Sequence, residues 1–168
     1  MPQMLSIVGN SASGKTTILE KLIIELKRRG YRIGVIKHAH HGFNLDQEGK
    51  DSWRHKNAGA DTVLVASPGR IALIKDDEKS ETLSYLKQYF NDVDLILIEG
   101  FKRKRWPKIE VFRVAVHEAP LFAGNSDLVA WVTDSNLDLN VPKFGLEEIP
   151  SLADFIEMHY IKKVQELN

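Results

Sequence analysis

The chain contains no cysteine, which removes disulfides and thiolate metal sites from consideration. It carries no excess of either charge, because lysine plus arginine and aspartate plus glutamate number 23 each. Bulk charge therefore predicts neither a nucleic-acid coat nor a membrane-surface protein, and a partner of either kind would have to be read by a local patch. No long apolar span or signal-peptide pattern opens the sequence, and no repeat or low-complexity tract interrupts it. These absences lead us to expect a soluble cytoplasmic protein with no membrane partner. With 168 residues, 43% of them hydrophobic, the chain is long enough to bury a sizeable core and is read as one domain, 1–168.

What is present is concentrated at the start. Gly9-Asn10-Ser11-Ala12-Ser13-Gly14-Lys15-Thr16 has the Gly-x4-Gly-Lys-Thr spacing of a phosphate-binding loop. It sits between an apolar strand-like run, Met4 to Val8, and a helical pattern in which Ile18, Leu19, Leu22, Ile23 and Leu26 recur on one face. The glycines allow a tight turn whose backbone N–H groups aim inward, and the helix adds its positive N-terminal end. Lys15 would reach the β- and γ-phosphates, and the Thr16 hydroxyl would coordinate Mg2+ bridging the same oxygens.

Downstream, the patterning predicts strands at 31–37, 61–66, 70–75, 93–98, 109–114 and 128–132, and helices at 50–58, 80–90 and 151–164. Ser67-Pro68-Gly69 is a turn signal that joins two of the strands as a hairpin. The alternation specifies an α/β fold: a three-layer P-loop NTPase with a mostly parallel central sheet and an antiparallel edge or hairpin.

Glu99 is the second fixed point. It closes Val93 to Ile98, the most apolar strand candidate, at the end of the sheet where open parallel sheets place ligand-binding groups. A carboxylate there can face Thr16 across magnesium, making Thr16 and Glu99 the metal residues, although aspartate is the usual acid at this point. A solvated strand-end acid is the plain alternative. Asp46 is preferred to Asp51 as an acid assisting the ion or positioning water, since Asp51 falls at a helix start and would satisfy free N–H groups there. His38, His40 and His41 tempt a metal assignment, but alternation places His38 and His40 on one face and His41 on the other, so they read as lining a loop after the second strand.

With the phosphate loop, Ile36-Lys37-His38-Ala39-His40-His41, Gly49-Lys50-Asp51-Ser52-Trp53-Arg54, Ala58-Gly59-Ala60 and Ile98-Glu99-Gly100-Phe101-Lys102 ahead of Pro107-Lys108-Ile109-Glu110, the chain resembles the MobB family, the molybdopterin-guanine dinucleotide biosynthesis protein B family. The resemblance covers most of the chain. It implies a GTP-binding accessory protein, a slow magnesium-dependent GTPase at most, that forms a homodimer. The protein would assist the molybdopterin guanylyltransferase (MobA-type) that joins GMP to molybdopterin.

Carried over, Gly9, Gly14, Lys15, Thr16 and Thr17 bind phosphates and the ion, with Asn10, Ser11, Ala12 and Ser13 completing the loop, and Lys15, Glu99 and Asp46 are the candidate catalytic residues. Guanine preference follows from the family, and Asp134 is the candidate base reader, because a carboxylate accepts from the two adjacent N–H groups of guanine. Two other functions fit parts of the sequence. A small-molecule kinase would use the same loop and ion, with residues 102–105 imitating an arginine lid. A nucleic-acid module would use the basic run around Trp106, but one short run without a wider basic face seldom makes a footprint.

Overall fold

The computed structural model describes residues 2–39, 42–138 and 140–162. They divide into two compact units, one built from the residues up to His38 together with those from Phe90 onward, the other from Ala39–Tyr89. The first unit holds β1 (Gln3–Val8), α1 (Lys15–Arg28) and β2 (Ile33–Lys37) ahead of the second unit. The second unit holds α2 (Asp51–Asn57), β3 (Thr62–Ser67), β4 (Arg70–Lys75) and the single turn α3 (Leu83–Leu86), which continues into a 3-10 turn at Lys87–Tyr89. The chain then returns to the first unit with β5 (Leu95–Glu99), β6 (Lys108–Phe112), β7 (Leu128–Thr133), β8 (Lys143–Phe144) and α4 (Ile149–Ile156), the last running into a π-helical turn, Glu157–Lys162.

The six strands of the first unit pair in the order β2-β5-β1-β6-β7-β8, and every pairing is parallel. β5 reads Leu-Ile-Leu-Ile-Glu and is buried at every residue, as a strand with neighbours on both edges and cover on both faces must be. One face presents Leu5, Ile7, Leu95, Leu97, Ile109, Val111, Ala130 and Val132 to the apolar stripes of α1 and α4. The stripe of α1 is Ile18, Leu19, Leu22 and Leu26, the i, i+1, i+4, i+8 spacing of one helical face.

β3 and β4 pair antiparallel through the Ser67–Arg70 turn and make a sheet of their own. The expected hairpin is therefore present, and it pairs with no strand of the parallel sheet among the described residues. The helix expected over 80–90 is reduced to α3 and its 3-10 turn. The expected last helix starts two residues early, at Ile149, and its expected end at 163–164 lies outside the described residues.

Arg29, just past α1, ties helix to helix. Its guanidinium donates to Glu25 at 2.8 Å, Asp154 at 2.6 Å, Glu157 at 2.9 Å and the Pro150 carbonyl at 3.0 Å. Lys162, Arg29 and the Tyr31 hydroxyl hold the Glu157 carboxyl at about 2, well below its ordinary 4.5. A carboxyl lowered in the folded state contributes stability that is complete above its unfolded value and is lost as pH falls through the folded one. The melting temperature is therefore expected to fall between about pH 4.5 and pH 2. In Arg29→Ala the fall should be shallower when melts at pH 6, 4 and 2.5 are compared, and equal slopes would show that this cluster carries none of the acid sensitivity.

Candidate functional site

β1 runs up the middle of the sheet between β5 and β6, so the loop that follows it emerges where those strands also end. Gly9 leaves β1 with φ +144°, Ala12 passes through the left-handed region at +58° and Gly14 caps α1 at +91°. No side chain caps that helix end, so its leading N–H groups stay directed at the loop interior. Lys15 folds back, and its Nζ donates to the Asn10 carbonyl at 2.5 Å. Burial pulls the Lys15 ammonium below the usual lysine range, Lys102 adds to the fall, and Glu99 opposes it. The ammonium is a partly desolvated cation short of negative charge. Ser13 is fully buried beneath the loop, and its Oγ has no hydrogen-bond partner among the described residues.

Glu99 ends β5 beside β1 and is 7% exposed. Its Oε1 accepts the Thr16 hydroxyl at 3.1 Å and the ammonium of Lys37, which ends β2. Three strand or helix ends thus converge on one carboxylate oxygen. A hydroxyl and a buried carboxylate brought together are the hard oxygen donors that magnesium takes, so Thr16 and Glu99 fit the ion. Lys37 balances the charge of that carboxylate. Past Glu99 the chain turns through Gly100 at φ +102° and Phe101 at +50°. A Cβ on Gly100 would lie 2.9 Å from that of His38, and the ring of His38 stacks on Phe101 with centroids 4.1 Å apart. His40 and His41 lie outside the described residues. Among the described residues no three histidine or acidic side chains gather as a metal cluster.

The loops after β6 and β7 form the other flank. Asp134 Oδ1 accepts the Val114 N–H at 2.9 Å, joining the two loops along an open cleft of about 640 Å3 lined by Val114, Ala115, Asp134, Ser135, Asn136 and Leu137. The ring Nε2 of His117 sits 2.7 Å from the Ser11 carbonyl. The stem of Arg113 lies against the loop, with Cδ 3.9 Å from where a Cβ on Gly14 would be, and its buried Nε has no partner among the described residues. Arg113 was missed because it was placed inside a strand expected to reach 114, whereas β6 stops at Phe112. The Arg113 carbonyl instead closes a turn by accepting from Val116 and His117.

Asp46 and Asp51 belong to the Ala39–Tyr89 unit. Asp46 Oδ1 accepts the Gln47 N–H at 2.8 Å and the Ser52 hydroxyl at 3.0 Å, a local turn lock of the kind aspartate makes before a helix. Asp51 opens α2, as its place beside Gly49 suggested.

The family model "Molybdopterin guanine dinucleotide synthesis protein B", MobB, matches residues 4–134. A molybdopterin-guanine dinucleotide biosynthesis adapter protein of Haemophilus influenzae is 44% identical over 156 residues, 92% of this chain and 87% of the relative. Its namesake in Escherichia coli K12 is 38% identical over 161 residues, 93% and 92% of the two chains. The crystal structure of Bacillus subtilis MobB aligns with TM-score 0.75 at 27% identity, covering 93% of this chain and 96% of that one. Another MobB crystal structure aligns with TM-score 0.72 at 30% identity, covering 92% and 97%. With the family model matched over residues 4–134 and relatives 44% and 38% identical over most of both chains, the chain belongs to the MobB family.

Proposed function

We propose that this protein is a GTP-binding adapter of molybdenum cofactor biosynthesis, assisting the guanylyltransferase that attaches GMP to molybdopterin. The reading rests on one observation above the rest, the convergence of Lys15, Thr16 and Glu99 at the mouth of a glycine loop whose helix end is left uncapped. The loop N–H groups and Lys15 hold the triphosphate. A magnesium ion at Thr16 and Glu99 would neutralise charge on the phosphate oxygens. Lys37, which pairs with Glu99, would add its positive charge beside the same phosphates. Arg113 and His117 brace the loop from the side of β6. The cleft at Asp134 lies on the flank where a base attached to the phosphates would rest, and the Asp134 carboxylate is the group there suited to the N–H edge of guanine. The relatives named above are biosynthesis adapter proteins, which lends the small-molecule kinase reading no support.

Two copies assemble, on this reading, through the hairpin. A two-stranded sheet is marginal alone, and β3 and β4 leave Leu64 57% and Ile71 71% exposed, with apolar Val65 and Leu73 alongside. Native mass spectrometry with and without GTP and magnesium tests both halves of the proposal. A dimer binding one nucleotide per subunit and retaining the guanylyltransferase is expected, and a monomer indifferent to GTP would overturn it.

Glu99→Gln keeps the shape of the site and removes its charge. Nucleotide affinity at saturating magnesium is expected to stay within a few-fold, while the magnesium concentration at half effect rises roughly tenfold, for about 1.4 kcal/mol of lost ion binding. Superimposable magnesium titrations would make Glu99 purely a partner of Lys37. Asp134→Asn should lower the preference for GTP over ATP roughly tenfold, or shift it toward xanthine nucleotides, in competition binding. An unchanged preference assigns base reading to another group.

A further inference from the structure

The loop from 101 to 107 forms one wall of a second cleft, of about 480 Å3, facing Leu121 and Phe122. Lys102, Arg103, Lys104 and Arg105 are all exposed along it. None has a carboxylate within ion-pair distance among the described residues, whereas Lys21, Arg28, Arg29, Lys75 and Lys162 each have one. Four adjacent cations without an ion-pair partner among the described residues repel one another, and the arrangement is held by something other than their own contacts.

What holds it is β6. Lys108 and Glu110 point to the same side of the strand, two residues apart, and each is 1% exposed. Lys108 Nζ donates to the carbonyls of Lys104 at 2.6 Å and Trp106 at 3.1 Å and pairs with Asp127 at 3.2 Å. Glu110 accepts the N–H groups of Leu121 at 2.6 Å and Phe122 at 3.0 Å. A buried cation fixes one wall and a buried anion fixes the other. Burying a charge is costly unless it is paired and hydrogen-bonded, and here both are engaged in fixing backbone, so the cleft is built in advance of any ligand. Asp127, the acid at its base, is already neutralised by Lys108.

We infer that this cleft is a second anion site, distinct from the phosphate loop, that takes a phosphomonoester carried on a flat heteroaromatic ring. The four cations address the phosphate, as clustered arginine and lysine do, and the Phe122 ring with Leu121 offers an apolar wall to the ring system. The volume lies within the range of small-molecule sites. Lys102 follows Glu99 by only three residues, so the 102 end of this wall starts from the same strand end that carries the candidate ion site. This rests on the adapter reading above, in which the substance being joined to a nucleotide is a phosphorylated pterin.

The test uses the full chain and neopterin monophosphate as probe, followed by its own fluorescence at low salt, against neopterin and inorganic phosphate. The wild type should bind neopterin monophosphate at least roughly tenfold more tightly than either fragment, with affinity falling as salt rises. Arg103→Ser, Lys104→Ser and Arg105→Ser combined should weaken it at least roughly tenfold and flatten the salt dependence; Lys102 is left in place because its field reaches Lys15. Phe122→Ala should weaken the pterin probe several-fold and leave inorganic phosphate unchanged. GTP titrations of the same samples should agree within about twofold. Wild-type binding by the triple variant, or no binding by the wild type, overturns the inference, as does a single-stranded oligonucleotide that competes more tightly and is lost in the triple variant. Loss of GTP binding in the wild type would instead sink the nucleotide reading and leave the cleft result to stand alone.

Discussion

Lys15→Ala is expected to weaken GTP binding by roughly 100-fold while the melting temperature of the free protein barely moves. The lysine would contact two phosphates, and charge-assisted hydrogen bonds contribute about 1.5–3 kcal/mol each when net effects are counted, so about 3 kcal/mol is lost. Stability behaves differently because the ammonium is a burden on the empty protein. Burial and Lys102 both disfavour its charge, and its removal relieves that penalty while losing one bond to the Asn10 carbonyl, worth about 1 kcal/mol in the opposite direction. Isothermal titration with GTP and a thermal melt on the same sample separate the two effects. Affinity within threefold of wild type would remove the phosphate-loop assignment. A melting temperature lowered by more than about 5 °C would make Lys15 a structural residue first.

Gly9→Ala should do the reverse, lowering stability and ligand binding together. The residue sits at φ +144°, which alanine adopts only with strain. A Cβ there would overlap the Val111 carbonyl oxygen on β6 and lie 2.8 Å from Ser13 Oγ. Neither neighbour can swing aside, since one is strand backbone and the other is fully buried. Backbone strain and overpacking together suggest a cost of about 3 kcal/mol, or roughly 10 °C in melting temperature for a chain of this size. Gly124→Ala is the control. It too has positive φ, at +77°, but nothing lies within 4 Å of its would-be Cβ, so only the backbone term of about 1 kcal/mol applies. Equal melting temperatures for the two variants would show that the packing of the phosphate loop against β6 carries no weight.

The sequence was most legible where one residue type has one structural use. Gly9, Gly14 and the apolar runs on either side left little freedom for strand, loop and helix. β5 showed itself by being apolar through Ile98 and acidic at Glu99, and Ser67-Pro68-Gly69 marked the hairpin. Legibility failed where tertiary contacts override local pattern. Lys143–Phe144 is too short a strand to show periodicity, and it is held by pairing with β7. Over 80–90 the residues Leu83, Leu86 and Phe90 recur at helical spacing, yet only Leu83 is buried, so the pattern lacks the packing that would keep more than one turn helical. In β6 the alternation Lys-Ile-Glu-Val reads as a strand with one wet face, yet all five of its residues are buried, because Lys108 folds back onto the carbonyls of 104 and 106 and pairs with Asp127 while Glu110 holds the N–H groups of Leu121 and Phe122, and periodicity reports none of these contacts. At the candidate site, Lys15, Thr16 and Glu99 could be named from motif and strand end alone. Lys37 and Arg113 could not, since their positions depend on which strands are neighbours and on where β6 stops. A lysine at the last position of a strand next to β5 is a signal that strand order would have exposed.

The grip of Lys108 falls on carbonyl oxygens at 104 and 106, atoms that every amino acid possesses. The path of the 101–107 loop is therefore written in β6, and the side chains at 102–105 are excused from maintaining it. Such a loop can exchange its cations for other residues while its backbone keeps the same course. Recognition on that wall is separable from folding, so a library randomised at 103, 104 and 105 should yield folded proteins at high frequency with widely differing ligand preferences, as hypervariable loops do on an unvarying scaffold.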